Sequence, residues 1–407
     1  AILIEGNRIV EVGRASEVEI PPGYKVIDTS GRTMMPGLID AHAHLMDVGH
    51  GNYARWFPWA FEEYGIERVM EVSAKQFIMA GVTSVIDLCG PLEESISIRD
   101  RINDLEIPGP RAFVSGPWIT RRGGSYPPQV PQIVISSTQE AVEAVDFLAE
   151  AGVDVIKAYP MTPEDYQAVV RRAHEHRIRV HAHVYSPESV WDAFNAGVDV
   201  LTHVGSAGRP AYSKELVDAI VVDGRPVVPT GMHRVWLYPA TIDFPERLQD
   251  PKMKQQFPPD LYEEIAGSFE HFETLPYFRT TSRQMFFGEE SLTQWITSGA
   301  VVGIGTDSGT PMNFNWDGIW REMKIFVDHG MSPQRTIEAA TWINARLLGR
   351  GSDLGTIEEG KLADIIVVEG NPLFDLTKSL SHVEVVIKDG VIYKGDPDFP
   401  QDELWTW

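Results

Sequence analysis

The chain has 407 residues, 43% of them hydrophobic and 23% charged, the proportions expected of a globular protein with a large core and one or two domains. Its formal charge of -23 argues against nucleic acid as a partner, because phosphate binding needs concentrated Lys and Arg and no strongly basic run occurs. Cys89 is the only cysteine, so an intrachain disulfide and a CxxC metal or redox motif are excluded and core packing is its expected role.

The start of the chain, 1–12, reads as strand rather than as a charged-then-apolar signal peptide. No apolar run approaches the roughly 18 residues that cross a bilayer. The expectation is a cytoplasmic protein without a membrane partner, and what precedes Ala1 stays open. Short strands are expected at 2–5, 8–12 and 25–28, and again at 364–369, 383–388 and 391–393, with Asp389-Gly390 as the turn before the last. The two ends are expected to pair into a small β-sandwich domain made of residues 1–36 and 352–407.

Between them, strand-like apolar runs alternate with helix-like segments, at 38–42, 83–88, 111–115, 153–158, 179–184, 198–203, 226–230 and 301–307. Thr162-Pro163, Ser186-Pro187 and Ser332-Pro333 each read as an N-cap followed by Pro at the first helical position. Eight such βα units predict an α/β fold, a (β/α)8 TIM barrel over residues 37–351. A doubly wound open sheet is the alternative, but no GxGxxG follows the first strand. An insert at 232–292, rich in aromatics and prolines, is expected to form loops and helices over the barrel mouth.

Functional groups of such a barrel lie where its strands end. The first run ends at His42 and His44, which alternation places on one face as a candidate metal-ligand pair. The fourth carries Lys157, the fifth His181 and His183, the sixth His203 and the eighth Asp307. His183 lies nearer the strand end than His181, which is expected a layer deeper, as a core histidine or an orienting partner. His174 and His176, at the end of a helix, are expected to face solvent or complement its dipole.

The segments MPGLIDAHAHL at 35–45, DVIKAYP at 154–160, VHAHVY at 180–185, GVDVLTHVG at 197–205, GIGTDSG at 303–309 and GTIEEGKLADIIVVEGNPL at 355–373 resemble the amidohydrolase superfamily, nearly end to end. Within it the chain is similar to the imidazolonepropionase and Xaa-Pro dipeptidase (prolidase) branch of binuclear enzymes. The resemblance implies two divalent metal ions, Zn foremost, with Mn, Co, Ni or Fe as alternatives. It implies His42, His44 and Asp307 around the more buried ion, His183 and His203 around the more exposed one, and Lys157 as an N-carboxylated bridge. Carboxylation turns a cation that would repel metal into an anion with two oxygens. The implied reaction is attack by a metal-activated hydroxide on an amide-type C–N bond, in a dipeptide, N-acyl amino acid, cyclic amide, or aryl amide, carbamate or urea. Asp307, beside the water, is the general-base candidate.

A lactonase or esterase would use the same hydroxide, whereas deaminases of the superfamily typically lack the fourth-strand lysine. A metal-free scaffold is the alternative from another class. The aromatic run 53–61 is either packing or the wall for an apolar substrate group. Arg121, Arg122 and Arg234 could pair with a substrate carboxylate or remain solvated. Tyr185 resembles a substrate-facing tyrosine of the prolidase-like branch, and His233, with Trp236 and Tyr238 nearby, is the loop residue expected to touch a small-molecule substrate. A homo-oligomer is expected.

Overall fold

The computed structural model describes residues 1–121, 127–204, 211–232, 248 and 250–396, with residues 276–286 described as helix backbone alone. Strands β1 (Ile2–Glu5) and β2 (Arg8–Val12) pair as an antiparallel ribbon, as the sequence predicts. The expected strand at 25–28 does not form. Val26 is 60% exposed there, and the strand is instead β3 (Arg32–Pro36), which finds a ladder partner at the far end of the chain.

The parallel strands begin with β4 (Leu38–Ala43), β5 (Val82–Asp87) and β6 (Arg111–Val114), which form one sheet in sequence order. The second sheet contains β7 (Trp118–Thr120), β8 (Gln132–Val134), β9 (Val155–Ala158), β10 (Arg179–His183), β11 (Val200–Thr202) and β12 (Val227–Val228), in the order β12-β11-β10-β9-β7-β8. β4, β5 and β9 are buried along their whole length, as apolar runs covered on both faces must be. Between them lie helices such as Ile66–Met79, Pro163–Glu175 and Pro187–Ala196. Thr162, Ser186 and Ser332 all cap their helices through a side-chain oxygen that accepts a backbone N–H, as the Ser/Thr-Pro pairs predict.

Two expectations are corrected here, and β7 and β8 are strands beyond the eight expected runs. The run at 226–230 keeps only Val227 and Val228 in a strand, because Pro226 has no N–H and Thr230 turns out at φ +53°. The run at 301–307 makes isolated pairings rather than a regular strand. Even so, it is hydrogen-bonded on both sides. Gly303 N–H donates to Val227 O at 2.9 Å, while Ala41 N–H donates to Ile304 O at 3.0 Å and Asp307 N–H to His42 O at 2.7 Å. A Cβ at Gly305 would stand 2.5 Å from Val228 Cγ1 and 2.8 Å from His42 Cβ, so the absence of a side chain lets this segment run against the first histidine.

At the other end, β13 (Ile365–Glu369), β14 (Val383–Lys388) and β15 (Val391–Lys394) continue from β3 in an antiparallel sheet of order β15-β14-β13-β3. Asp389 and Gly390 both have positive φ, +50° and +74°, the geometry of a two-residue I′ hairpin turn. Ile9 of β2 bonds Lys361 O at 2.9 Å and packs with Ile365, Val367, Val385 and Ile387, so both chain ends share one apolar cluster. Buried Arg111 of β6 ties this sheet to β5, donating to Asp364 at 2.7 and 3.3 Å, Asp389 at 2.6 Å and Ser84 Oγ at 3.1 Å. The insert contains helices Pro251–Gln255, Pro259–Gly267 and Pro276–Thr297. No described helix is long and apolar enough to cross a membrane.

Candidate metal centre

β4 delivers His42 and His44 to its C-terminal end, fully buried and 8% exposed. Asp40, one strand repeat earlier, accepts from Thr306 Oγ1 at 2.6 Å and from the N–H groups of Thr306 and His42 at 3.1 Å each. That carboxyl therefore staples the first histidine to the turn that carries Asp307. Asp307 sits at φ +55° and His203 at φ +64°, left-handed backbone that non-glycine residues adopt at a cost. His203 follows β11 and its Nδ1 lies 2.9 Å from Thr230 Oγ1.

The histidines and Asp307 converge. Asp307 Oδ1 lies 3.0 Å from His44 Nε2 and 3.4 Å from His42 Nε2, and its Oδ2 lies 3.7 Å from His203 Nδ1. His42, His203 and Asp307 each offer a ligand atom, and all of these atoms lie within 4.8 Å of one another. The rings of His183 and His203 are 4.2 Å apart, and Tyr185 stands edge-on to His183 at 4.6 Å. Lys157, 1% exposed on β9, donates from Nζ to Thr202 Oγ1 at 3.0 Å, and that hydroxyl donates onward to Ala182 O. His42, His44, Lys157, His183, Tyr185, His203 and Asp307 line one cavity of about 80 Å³.

His181 is buried beside Lys157 in the strand register and is not part of that lining. His174 and His176 pair with Asp199 and Asp146 on the outer surface. Cys89 is buried, with Sγ 3.5 Å from Pro131 O, and burial pushes its thiol well up. Arg121 is held by Asp165 and Ser136 O, outside the cavity lining. His233, Arg122, Arg234, Trp236 and Tyr238 lie outside the described residues.

Burial, followed by the charge of Lys157, takes His42 down to about 3, so it is a neutral imidazole, the form that ligates metal. For His44, burial opposes charge, but the hydrogen bond to Asp307 and the charges of Asp307, Asp47 and Asp87 win and raise its pKa. Burial takes Lys157 down to about 7, against the pull of Asp307. Burial likewise raises Asp40, Asp47 and Asp87 to about 7 each.

This donor set fits a cation. Neither ring nitrogen of His42 makes a hydrogen bond among the described residues, a costly state for a buried imidazole that a metal bond would relieve. Buried carboxylates outnumber the cations around it. Asp40, Asp47, Asp87, Thr202 and Thr230 were missed in the sequence. Asp40 and Asp87 could have been found as acids on buried strands, whereas Asp47 and the threonines carry no pattern.

Residues 33–395 match the model of the amidohydrolase family. The chain belongs to that family. Members are in general metal-dependent, and this amidohydrolase is a hydrolase acting on carbon–nitrogen bonds. It is 23% identical to an imidazolonepropionase of Thermoplasma acidophilum over 384 residues, covering 90% of this chain and 82% of that protein. An ochratoxinase of Aspergillus niger is 24% identical over 449 residues, covering 97% and 83%. Among solved structures, a Xaa-Pro dipeptidase with methionine in its active site superposes with a TM-score of 0.76 at 26% identity, covering 97% of this chain and 94% of that one.

Proposed function

We propose that this amidohydrolase cleaves an amide-type C–N bond of a small molecule at a pair of divalent ions, Zn foremost. The observation that carries the reading is the meeting of His42, His203 and Asp307 within 4.8 Å, in a cavity that Lys157 also lines. His42, His44 and Asp307 would hold the more buried ion, and His183 and His203 the more exposed one. Lys157, once N-carboxylated, would supply an anionic ligand to both, and its low pKa supports that assignment because carbon dioxide adds only to a neutral amine. When bound, the ions supply an acidified water and a Lewis acid for the scissile carbonyl.

The remaining chemistry belongs to the chain. Asp307 accepts the water's proton at a carboxylate oxygen and returns it to the leaving nitrogen. Asp40 and Thr306 hold that carboxylate in its left-handed turn. Tyr185 and His233 are assigned to substrate contact, Tyr185 because its ring lines the cavity beside His183. The fourth-strand lysine weighs against a deaminase.

The architecture we infer is a (β/α)8 barrel over residues 37–351, its two parallel sheets joined through the 301–308 segment, with a small β-sandwich domain made of 1–36 and 352–407. Assembly as a homo-oligomer is part of the same proposal. The test is elemental analysis together with a hydrolysis screen of dipeptides, N-acyl amino acids, arylamides and carbamates. Two equivalents of metal and hydrolysis are expected, with both metal and turnover reduced in Lys157→Ala. Metal-free protein after growth and purification in zinc overturns the reading.

A further inference from the structure

The aromatic run that follows the first histidines divides between two tasks. Trp56 is fully buried and its Nε1 donates to Asp47 Oδ1 at 2.8 Å, while Trp59 stacks on Tyr64; these pack the loop. Tyr53 and Phe57 share the other face of the short helix Tyr53–Pro58, with rings 5.3 Å apart, and both line the cavity of the candidate centre. Trp118 of β7 and Tyr159 beyond β9 line it as well, 4.6 Å apart, and Tyr159 stacks on His183 at 3.9 Å. Four rings from three separate chain segments thus surround the ligand cluster.

These rings are held in place. Asn52 caps the helix through Oδ1, buried His50 bonds Glu264 of the insert at 3.2 Å, and Gly51 N–H donates to Ser268 Oγ at 2.8 Å. An engineered cavity of about 150 Å³ accommodates benzene. The space enclosed here, about 80 Å³, suits the reacting group alone, so the body of a substrate lies along half-buried Tyr53 and Tyr159.

Charge points the same way. Among the described lining residues the one basic side chain other than histidine is Lys157, and Asp47 adds a buried acid. Arg55 and Arg121 pair with Glu264 and Asp165, outside the lining. The described wall therefore offers π faces and two buried acids, Asp47 and Asp307.

We propose that Tyr53, Phe57, Trp118 and Tyr159 form a slot for an uncharged aromatic group beside the scissile bond, so that the substrates of this site are aryl-bearing amides, carbamates or ureas. The slot rests on the hydrolase reading only for where the scissile bond lies.

Two matched pairs test it on the metal-replete enzyme: phenylacetylglycinamide against cyclohexylacetylglycinamide, and acetylphenylalaninamide against acetylcyclohexylalaninamide, which place the ring on either side of an amide. Phenylacetylglycine is the anionic member. Stopped-flow tryptophan quenching gives dissociation constants, and product formation is followed in the same mixtures. In at least one pair the aryl member binds about three- to tenfold tighter than its saturated partner, a range set by ring–ring contacts. The free acid binds more weakly than its amide. Tyr53→Leu and Trp118→Leu each remove most of the ring preference, read as the ratio of the two affinities within a pair. If Trp118→Leu fails to fold, half-buried Tyr53→Leu still decides. Equal affinities in both pairs, or tighter binding of the free acid, overturn the slot. A ring preference without hydrolysis supports the slot and counts against the hydrolase reading alone.

Discussion

Lys157→Met separates stability from function. In the metal-free protein, burial takes the Lys157 pKa from 10.5 to about 7, so the folded state must strip a proton that the unfolded chain keeps. At 1.36 kcal/mol per pKa unit this costs about 4 kcal/mol at pH 7 and about 2 kcal/mol at pH 9. The sign follows from a depressed folded pKa: the penalty is full below pH 7 and fades as pH rises toward 10.5. Methionine removes the penalty and also the 3.0 Å bond to Thr202, worth about 1 kcal/mol. Net stabilisation of metal-free Lys157→Met is therefore about 3 kcal/mol at pH 7 and about 1 kcal/mol at pH 9, read from urea unfolding after chelation. Loaded with metal, the same variant loses turnover. Equal stability of variant and wild type at both pH values refutes the burial reasoning, and retained turnover refutes the bridging role.

Asp307→Asn is expected to leave much of the metal in place and lower kcat by at least a hundredfold, since an amide is not a base; near-normal kcat assigns the base elsewhere. Asp40→Ala strands the buried N–H groups of Thr306 and His42 and is expected to cost about 3 to 5 kcal/mol of stability, with Asp40→Asn milder; unfolding curves that coincide with wild type exclude the staple. Arg111→Met leaves Asp364 buried without its partner and should cost about 3 to 5 kcal/mol, measured the same way. His42→Ala should reduce bound metal, and full stoichiometry by elemental analysis would remove His42 from the ligand set.

The sequence by itself determined the parallel strand and helix alternation, the Ser/Thr-Pro helix starts, the antiparallel ends and the side chains that meet at the centre. All of these are written locally, in period-2 alternation, capping chemistry and strand-end position. It could not determine that β3 rather than 25–28 would find a ladder partner, because that choice depends on a strand more than 300 residues away. Nor could it show that 301–307 would run irregularly between two neighbours, or that His203, Thr230 and Asp307 would be held in left-handed backbone. Which members of one aromatic run face the cavity and which pack behind it was also decided only in three dimensions. The physical reason is that burial and charge compensation are collective. Asp40, Asp47 and Asp87 acquire their character from the groups folded around them, and no neighbouring residue in the chain announces it.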